Sequence, residues 1–401
     1  MLRKVPNVRL RILLALFLVS VFVGAQKIET VNGVRVVHNV KGGKWGANPE
    51  VKLELVGTIG GLDAEENLSF NNPNDIVRDS AGNLYILDTD NQRIQKLDSE
   101  GKFIKTIGRK GQGPGEFQSA HSMDIDNENN LFVFDMRSRR IEVLSSDGKP
   151  LKTIKFRALS AGEIRLLNPG LIVRGGLLDY GLAVGRLKKL PKLLEVIDQN
   201  GRIKFAFGEA TDYGDGTTSW HANWFYLDTD SEKNICVSFQ RQNRVEKYSP
   251  EGRLLWQADR PLNYGTEVIE KGFISRGRGY TGVQGPKMNM VSSGIAVDGK
   301  ARIWVITLRR QLADEERAFG SSVVTTDAGV VSRTKTQPKV VKEDVYKLEI
   351  FSPDGVFLGE IPLTHHAHGI RIFGDNLFIR EYYNTIFYQY KIIENEIHEM
   401  S

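Results

Sequence analysis

Apolar positions in this chain come in short bursts, each closed by a polar turn. Runs at 84–87, 131–134, 303–306 and 377–379 are almost wholly apolar. Runs at 93–97, 140–144, 244–248 and 346–351 follow them after a polar loop. A third set at 103–107, 151–156, 203–207, 254–258 and 356–361 mixes apolar with polar residues. Val, Ile, Leu, Phe and Tyr dominate all three sets, as pleated, half-buried strands require. Short apolar runs at 75–77, 294–297 and 369–372 precede the first set. Between the second and third sets stands a carboxylate or amide residue followed by Gly: Glu100-Gly101, Asp147-Gly148, Asn200-Gly201, Glu251-Gly252 and Asp354-Gly355. Such a pair suits a tight hairpin, because Gly takes positive φ without steric cost. The pattern predicts repeated four-stranded antiparallel units.

The units repeat in sequence as well. Residues 79–103 (DSAGNLYILDTDNQRIQKLDSEGKF) align with 126–150 (DNENNLFVFDMRSRRIEVLSSDGKP) without a gap, at an offset of 47. A period of this length marks an array of small sheets. Spacings between the hairpin glycines are 47, 53, 51 and 103, the last being one enlarged unit, since residues 261–290 are Gly-rich and lack strand alternation. Five complete units are followed by three strands in 369–393. The missing fourth is expected from Val51–Gly60 (VKLELVGTIG), which repeats the fourth-strand pattern and Thr-Ile-Gly ending of 102–108. Such a strand would close the ring and remove unpaired edges. The expected fold is all-β: a six-bladed β-propeller of four-stranded antiparallel blades, closed by an N-terminal strand. Residues 396–400 compete for the same edge.

Residues 1–25 do not fit the repeat. Arg3, Lys4, Arg9 and Arg11 precede an apolar run at 12–23 that is too short to span a bilayer, and Val23-Gly24-Ala25 ends it with small residues. A cleaved secretory signal is expected over 1–25, an N-terminal arm over 26–50, the propeller over 51–401, and an extracytoplasmic, periplasmic or secreted location. No Cys follows the apolar run to accept a lipid. The leader holds four basic and no acidic residues, so the mature chain keeps 50 of 54 Lys and Arg against 49 Asp and Glu. The basic balance is largely a property of the leader. That weakens any case for a nucleic-acid partner, which rests on basic excess. Cys236, alone of its type, lies in an apolar run and is expected to be a buried hydrophobe. A monomer without disulfides is expected, held by its core and its closure.

Several polar residues recur with the repeat. Arg93, Arg140 and Arg244 share a place in the third strand, and Asp88 and Asp135 stand five residues before two of them. An ion pair or hydrogen bond pinning the loop is the expected role. Asp124, Asp126 and Asn129, with Asp228 and Asp230, resemble part of a calcium loop. They lack its Gly and closing Glu, so turn-forming roles are expected.

The blades resemble the NHL-repeat propellers. Asp-x-x-Gly-Asn-Leu-Tyr followed by Asp-x-x-Asn-x-Arg-Ile-Gln stands at 79–95, and the Gly-rich stretch KGQGPGEF at 110–117 matches the segment those repeats carry between blades. The opening Val36-Val37-His38-Asn39-Val40 is shared with the exported "6-bladed β-propeller" proteins of bacteria. The resemblance covers about residues 28–393 and is specific for fold; fold alone does not give function.

Candidate chemistry falls where propeller loops cluster on one face. Insertions are expected there at 177–192 and 309–343, with the stretch 262–290 before the fifth blade. Trp220, Trp224 and Tyr180 are candidate ligand contacts on that face. His121 and His368 precede first strands of blades 2 and 6, and His221 lies just before that of blade 4, two residues further out. Three imidazoles from alternate blades converging on the axis is what zinc or another divalent metal needs. The arrangement resembles the metal site of the peptidyl-hydroxyglycine amidating lyases, and streptogramin-type lyases share the propeller and a His near its axis. His365 and His366 are expected to be loop residues; His38 and His398 receive no role. Gly-x-Ser-x-Gly, phosphate-loop and His-Glu-x-x-His patterns are absent. Two functions are thus expected: a binding or scaffold module for a peptide, glycan or protein, or a divalent-metal lyase or hydrolase using His121, His221 and His368.

Overall fold

Each of the five hairpin glycines lies at positive φ: Gly101 at +84°, Gly148 at +83°, Gly201 at +74°, Gly252 at +86° and Gly355 at +88°. Four of them face a second constraint. A Cβ on Gly148 would come closer than 3.0 Å to Ile107, on Gly201 to Lys155, on Gly252 to Phe207 and on Gly355 to Trp256. Each of these four hairpins therefore lies on the fourth strand of the preceding blade. This position permits only Gly for two reasons, left-handed backbone and close packing. The computed structural model describes residues 26–156, 162–167, 170–176, 178–277, 280–316, 321–325, 331–335 and 342–395. The leader and the competing segment 396–400 lie outside the described residues.

The hairpins join six four-stranded antiparallel units into a propeller. Blade 1 comprises Pro73–Arg78, Leu84–Asp88, Arg93–Leu97 and Phe103–Ile107, and blade 2 Ala120–Ile125, Leu131–Asp135, Arg140–Leu144 and Pro150–Lys155. Blade 3 comprises Glu163–Leu166, Leu171–Gly175, Leu194–Asp198 and Ile203–Phe207. Blade 4 begins with Phe225–Thr229, Ile235–Phe239, Val245–Tyr248 and Leu254–Asp259, and blade 5 has Ser292–Val297, Ile303–Leu308, Tyr346–Phe351 and Phe357–Leu363. Blade 6 uses Ile370–Phe373, Asn376–Glu381 and Ile386–Glu394, and Val51–Gly60 supplies its fourth strand, paired from Val51↔Glu394 to Gly60↔Ile386. The ring closes as its sequence pattern predicts.

The N-terminal arm contains a hairpin that the sequence reading did not separate out. Lys27–Val31 and Val34–His38 extend blade 4 to six strands, the second pairing in parallel with Leu254–Asp259. Asn39 then bonds to the carbonyls of Asp259 (2.8 Å) and Gly355 (3.0 Å) and accepts from Phe357 N–H at 2.7 Å. Trp45 N–H bonds to Leu358, and the Trp45 ring packs over Gly359, where a Cβ would clash. The stretch 262–290 also departs from expectation: it contains a two-stranded hairpin, Phe273–Gly277 with Tyr280–Gln284.

At the axis, the first strand of each blade has one edge without a strand partner. Carboxylates supply the missing acceptors from one blade to the next. Asp75 accepts Met123 N–H (2.9 Å), Asp124 accepts Leu166 N–H (2.7 Å), Glu163 accepts Leu227 N–H (2.9 Å) and Asp228 accepts Val297 N–H (3.0 Å). Buried backbone donors need partners, and here side chains supply them. Arg371 pairs with Asp75 at 2.9 Å and Arg165 with Asp228 at 3.0 Å, compensating part of the charge.

Candidate functional site

Above this axial network lies a cavity of about 460 Å³, lined by residues of all six blades. Its walls come from segments just before first strands (Asn72, Gly162, Trp224, His368), from the start of the first strand of blade 2 (His121) and from just beyond second strands (Gly176, Gln240, Tyr382). It therefore opens on the face from which the insertions at 177–192 and 309–343 leave. Gly162, Gly176, Gly294 and Gly369 line it too, and the missing side chains keep the lumen open.

His121 and His368 both line this cavity. Burial and the neighbouring charge of Arg380 push both imidazoles below their usual pKa, so both are neutral at pH 7. His368 Nδ1 accepts Tyr382 N–H at 3.2 Å, which places any ring proton on Nε2. Asn74 ties the two segments together. Its amide donates to the His121 carbonyl, and its side-chain oxygen accepts from Arg380, which also donates to the His368 carbonyl at 2.7 Å.

His221 is not part of this group. Residues 216–222 form helix α2 (Gly216–Ala222), with Asp215 as its N-cap accepting Thr218 N–H at 2.7 Å. His221 Nδ1 bonds to the Thr217 carbonyl at 2.9 Å, and its ring stacks on Trp224 at 5.3 Å between centroids. The offset of two residues seen in the sequence is this helical turn, which carries His221 away from the axis. Among the described residues no three His, Cys, Asp or Glu side chains converge as a metal site. Asp75 and Glu163, the carboxylates in the cavity, are occupied by backbone N–H groups, and Asp75 by Arg371 as well. These residues do not fit the expected zinc centre.

The three aromatic candidates form one cluster with different exposures. Trp220 sits edge-on to both Tyr180 (5.5 Å) and Trp224 (4.9 Å), and its indole N–H is taken by the Leu178 carbonyl at 2.7 Å. Tyr180, 41% exposed, begins the short helix α1 (Tyr180–Ala183) of the 177–192 insertion. Trp224 alone lines the cavity, and its buried indole N–H has no partner. Sequence reasoning missed Arg380, Tyr226 and Gln240. They stand in or beside blade strands with no motif around them, and only ring closure brings Arg380 of blade 6 next to Asn74 of blade 1.

His366 lies in a loop, as expected, but is 2% exposed, with neither ring nitrogen hydrogen-bonded, and packs against Tyr346 and Tyr383. His365 stacks on Tyr388 and bonds to the Tyr390 hydroxyl at 2.7 Å.

The comparisons with solved structures are of fold. A member of the DUF4221 family from Bacteroides vulgatus superposes with TM-score 0.54 at 14% identity, covering 86% of this chain and 99% of that one. A putative exported protein from Bacteroides fragilis gives TM-score 0.53 at 9% identity, covering 90% and 100%. Virginiamycin B lyase from Staphylococcus aureus is more distant, with TM-score 0.44, 11% identity and coverage of 86% and 100%. No curated protein matches the chain. No helix among the described residues is long and apolar enough to cross a membrane. Residues 62–166 match the family model described as "6-bladed beta-propeller", and the whole chain folds as a six-bladed β-propeller.

Proposed function

We propose that this protein is an extracytoplasmic binding module that takes a ligand in the axial cavity on its loop-bearing face. The observation that carries this reading is a cavity of about 460 Å³ built by all six blades and lined by Trp224 and Arg380, each with a buried, unpartnered N–H. The volume falls in the range of small-ligand sites, and such sites combine apolar walls with a few placed polar groups. Trp220 and Tyr180 extend the wall outward, where a peptide, glycan or protein would continue beyond the cavity. The leader, the monomeric state and the NHL-like character of the repeat belong to the same reading.

Ligand-observed NMR on protein beginning at residue 26, with a fragment set, tests the cavity. Hits are expected to bind wild type and to be lost in Gln240→Trp, which puts an indole into the mouth. Hits that bind both proteins equally would overturn the assignment. Mass spectrometry of protein from its native host tests export: a chain starting near residue 26 is expected, and retained Met1 in the cytoplasm would refute it. The metal-dependent reading is tested by titrating zinc. Tight binding abolished in His121→Ala/His368→Ala would restore it in place of the metal-free one.

A further inference from the structure

We propose that the ligand of the axial cavity carries a carboxylate, received by Arg380 beside the Trp224 indole. The proposal rests on the cavity being the ligand site and names the chemistry it selects. Three guanidinium groups, Arg165, Arg371 and Arg380, line the cavity. Two of them are spoken for, Arg165 by Asp228 at 3.0 Å and Arg371 by Asp75 at 2.9 Å. Arg380 differs. Its hydrogen bonds go to neutral oxygens only: the Asn74 carbonyl at 3.3 Å, the Asn74 side chain and the His368 carbonyl at 2.7 Å. Its Nε–H is buried and unpartnered, and so is the indole N–H of Trp224 in the same cavity.

A second cation stands close by. Arg241 bonds to Gln240 Oε1 at 2.7 Å, keeps a buried, unpartnered Nε–H and has no carboxylate partner among the described residues. The cavity's own carboxylates do not balance these charges. Asp75 is held by Arg371 and Met123 N–H, and Glu163 by Leu227 N–H with Arg165 at 3.7 Å. Burial raises the pKa of Glu163, and burial, with a smaller contribution from the Arg380 charge, depresses those of His121 and His368.

A buried cation held by carbonyls and backed by free N–H groups is a preorganised anion site, and charge-assisted bonds to a guanidinium are the strong ones. The anion is single and compact. The buried N–H groups left without a partner, Arg380 Nε–H and the Trp224 indole N–H, can serve the two oxygens of a carboxylate. Tyr226, Tyr382 and Phe387 complete the lining, so the acid carries an apolar or aromatic body. A free small acid and the C-terminus of a peptide present the same group.

Calorimetric titration of the full mature chain separates these outcomes, using 3-phenylpropionate, the tripeptide Ala-Ala-Phe, and the amide of each. The acids are expected to bind at least about tenfold more tightly than their amides. The tighter of the two acids identifies the source. Arg380→Gln is expected to abolish the preference for acid while leaving the weak amide binding. Because Arg380 also braces Asn74 and His368, Trp224→Phe is a second variant. It keeps the ring, removes the N–H, and is expected to weaken acid binding roughly three- to tenfold. Equal binding of acid and amide overturns the carboxylate assignment and leaves the cavity reading standing. So does an acid preference that survives both variants. Acid binding that persists in Gln240→Trp overturns the cavity reading itself. Failure of all four probes to bind wild type at about 10 mM overturns the carboxylate proposal.

Discussion

At the scale of single residues, neighbours with the same chemistry take different work. The acidic pairs Asp124/Asp126 and Asp228/Asp230 read in the sequence as turn formers. Asp126 and Asp230 are that: each caps a turn by accepting two backbone N–H groups, Asp126 from Glu128 and Asn130 and Asp230 from Glu232 and Asn234. Asp124 and Asp228, two residues earlier, point to the axis and hold the next blade. Sequence spacing gives the turn; it does not show an edge that exists only when six blades meet. The repeated arginines divide likewise. Arg93 pairs with Asp88 at 2.9 Å as expected, whereas Arg140 pairs with Glu142 and donates to the carbonyls of Gln112, Gly113 and Glu116. Asp135 instead accepts from Gln118 and Ser119 N–H, so the two residues pin one loop from opposite sides. Replacing Asp75 by Ala takes from buried Arg371 its nearer carboxylate, leaving Asp228 at 3.5 Å, and frees Met123 N–H. The expected loss is about 3–5 kcal/mol in urea unfolding, against about 1 kcal/mol for Asp126→Ala in its exposed turn.

At the scale of elements, the repeat was legible and the additions to it were not. Helix α2 escaped notice because seven residues with one N-cap leave no periodic trace. The 273–284 hairpin escaped because its Gly-rich surroundings show no strand alternation in the sequence. The large insertion of blade 5 leaves through an ionic clamp: Arg310 bonds to both oxygens of Glu316, at 2.7 Å each, and to Asp344. Glu316 is buried and its pKa is held down to about 2 by Arg310. A depressed carboxylate stabilises above its unfolded pKa of 4.5, and that contribution disappears as pH falls toward 2. The clamp is therefore expected to lose about 1–2 kcal/mol between pH 5 and 2, discounted for its exposed side. Hydrogen exchange at 310–316 reads this, and Glu316→Gln should remove the dependence. The N-terminal hairpin has the opposite sign. His38, bonded to Asp259 at 2.5 Å and Glu29 at 3.3 Å, has its pKa raised by both. Its contribution is complete below the ordinary value of 6.5 and is lost as pH rises through the raised one. Protection of amides in Val34–His38 is expected to fall across that rise, and His38→Gln to flatten it.

At the scale of the whole molecule, ring closure decides whether the blades cohere. The closing strand was readable because it copies the fourth-strand pattern of a blade 50 residues away in sequence. The cavity was half readable: His121, His368 and Trp224 lie on it, while Arg380 joins them only through closure of blade 6 onto blade 1. A chain starting at residue 61 leaves Ile386–Glu394 without its outer partner and opens the seam. It is expected to lose cooperative thermal unfolding, while a chain starting at residue 40 should keep it at a lower midpoint. Differential scanning calorimetry distinguishes the two. The belt formed by residues 27–60 has one more consequence. It is synthesised before its docking surfaces on blades 4, 5 and 6, and the last of those ends at Glu394. Val34–His38 gains its partner once Leu254–Asp259 is made, but Val51–Gly60 has none until Ile386–Glu394 emerges. The protein cannot finish folding from its front end, so the growing chain stays open, and threadable, until its final blade emerges.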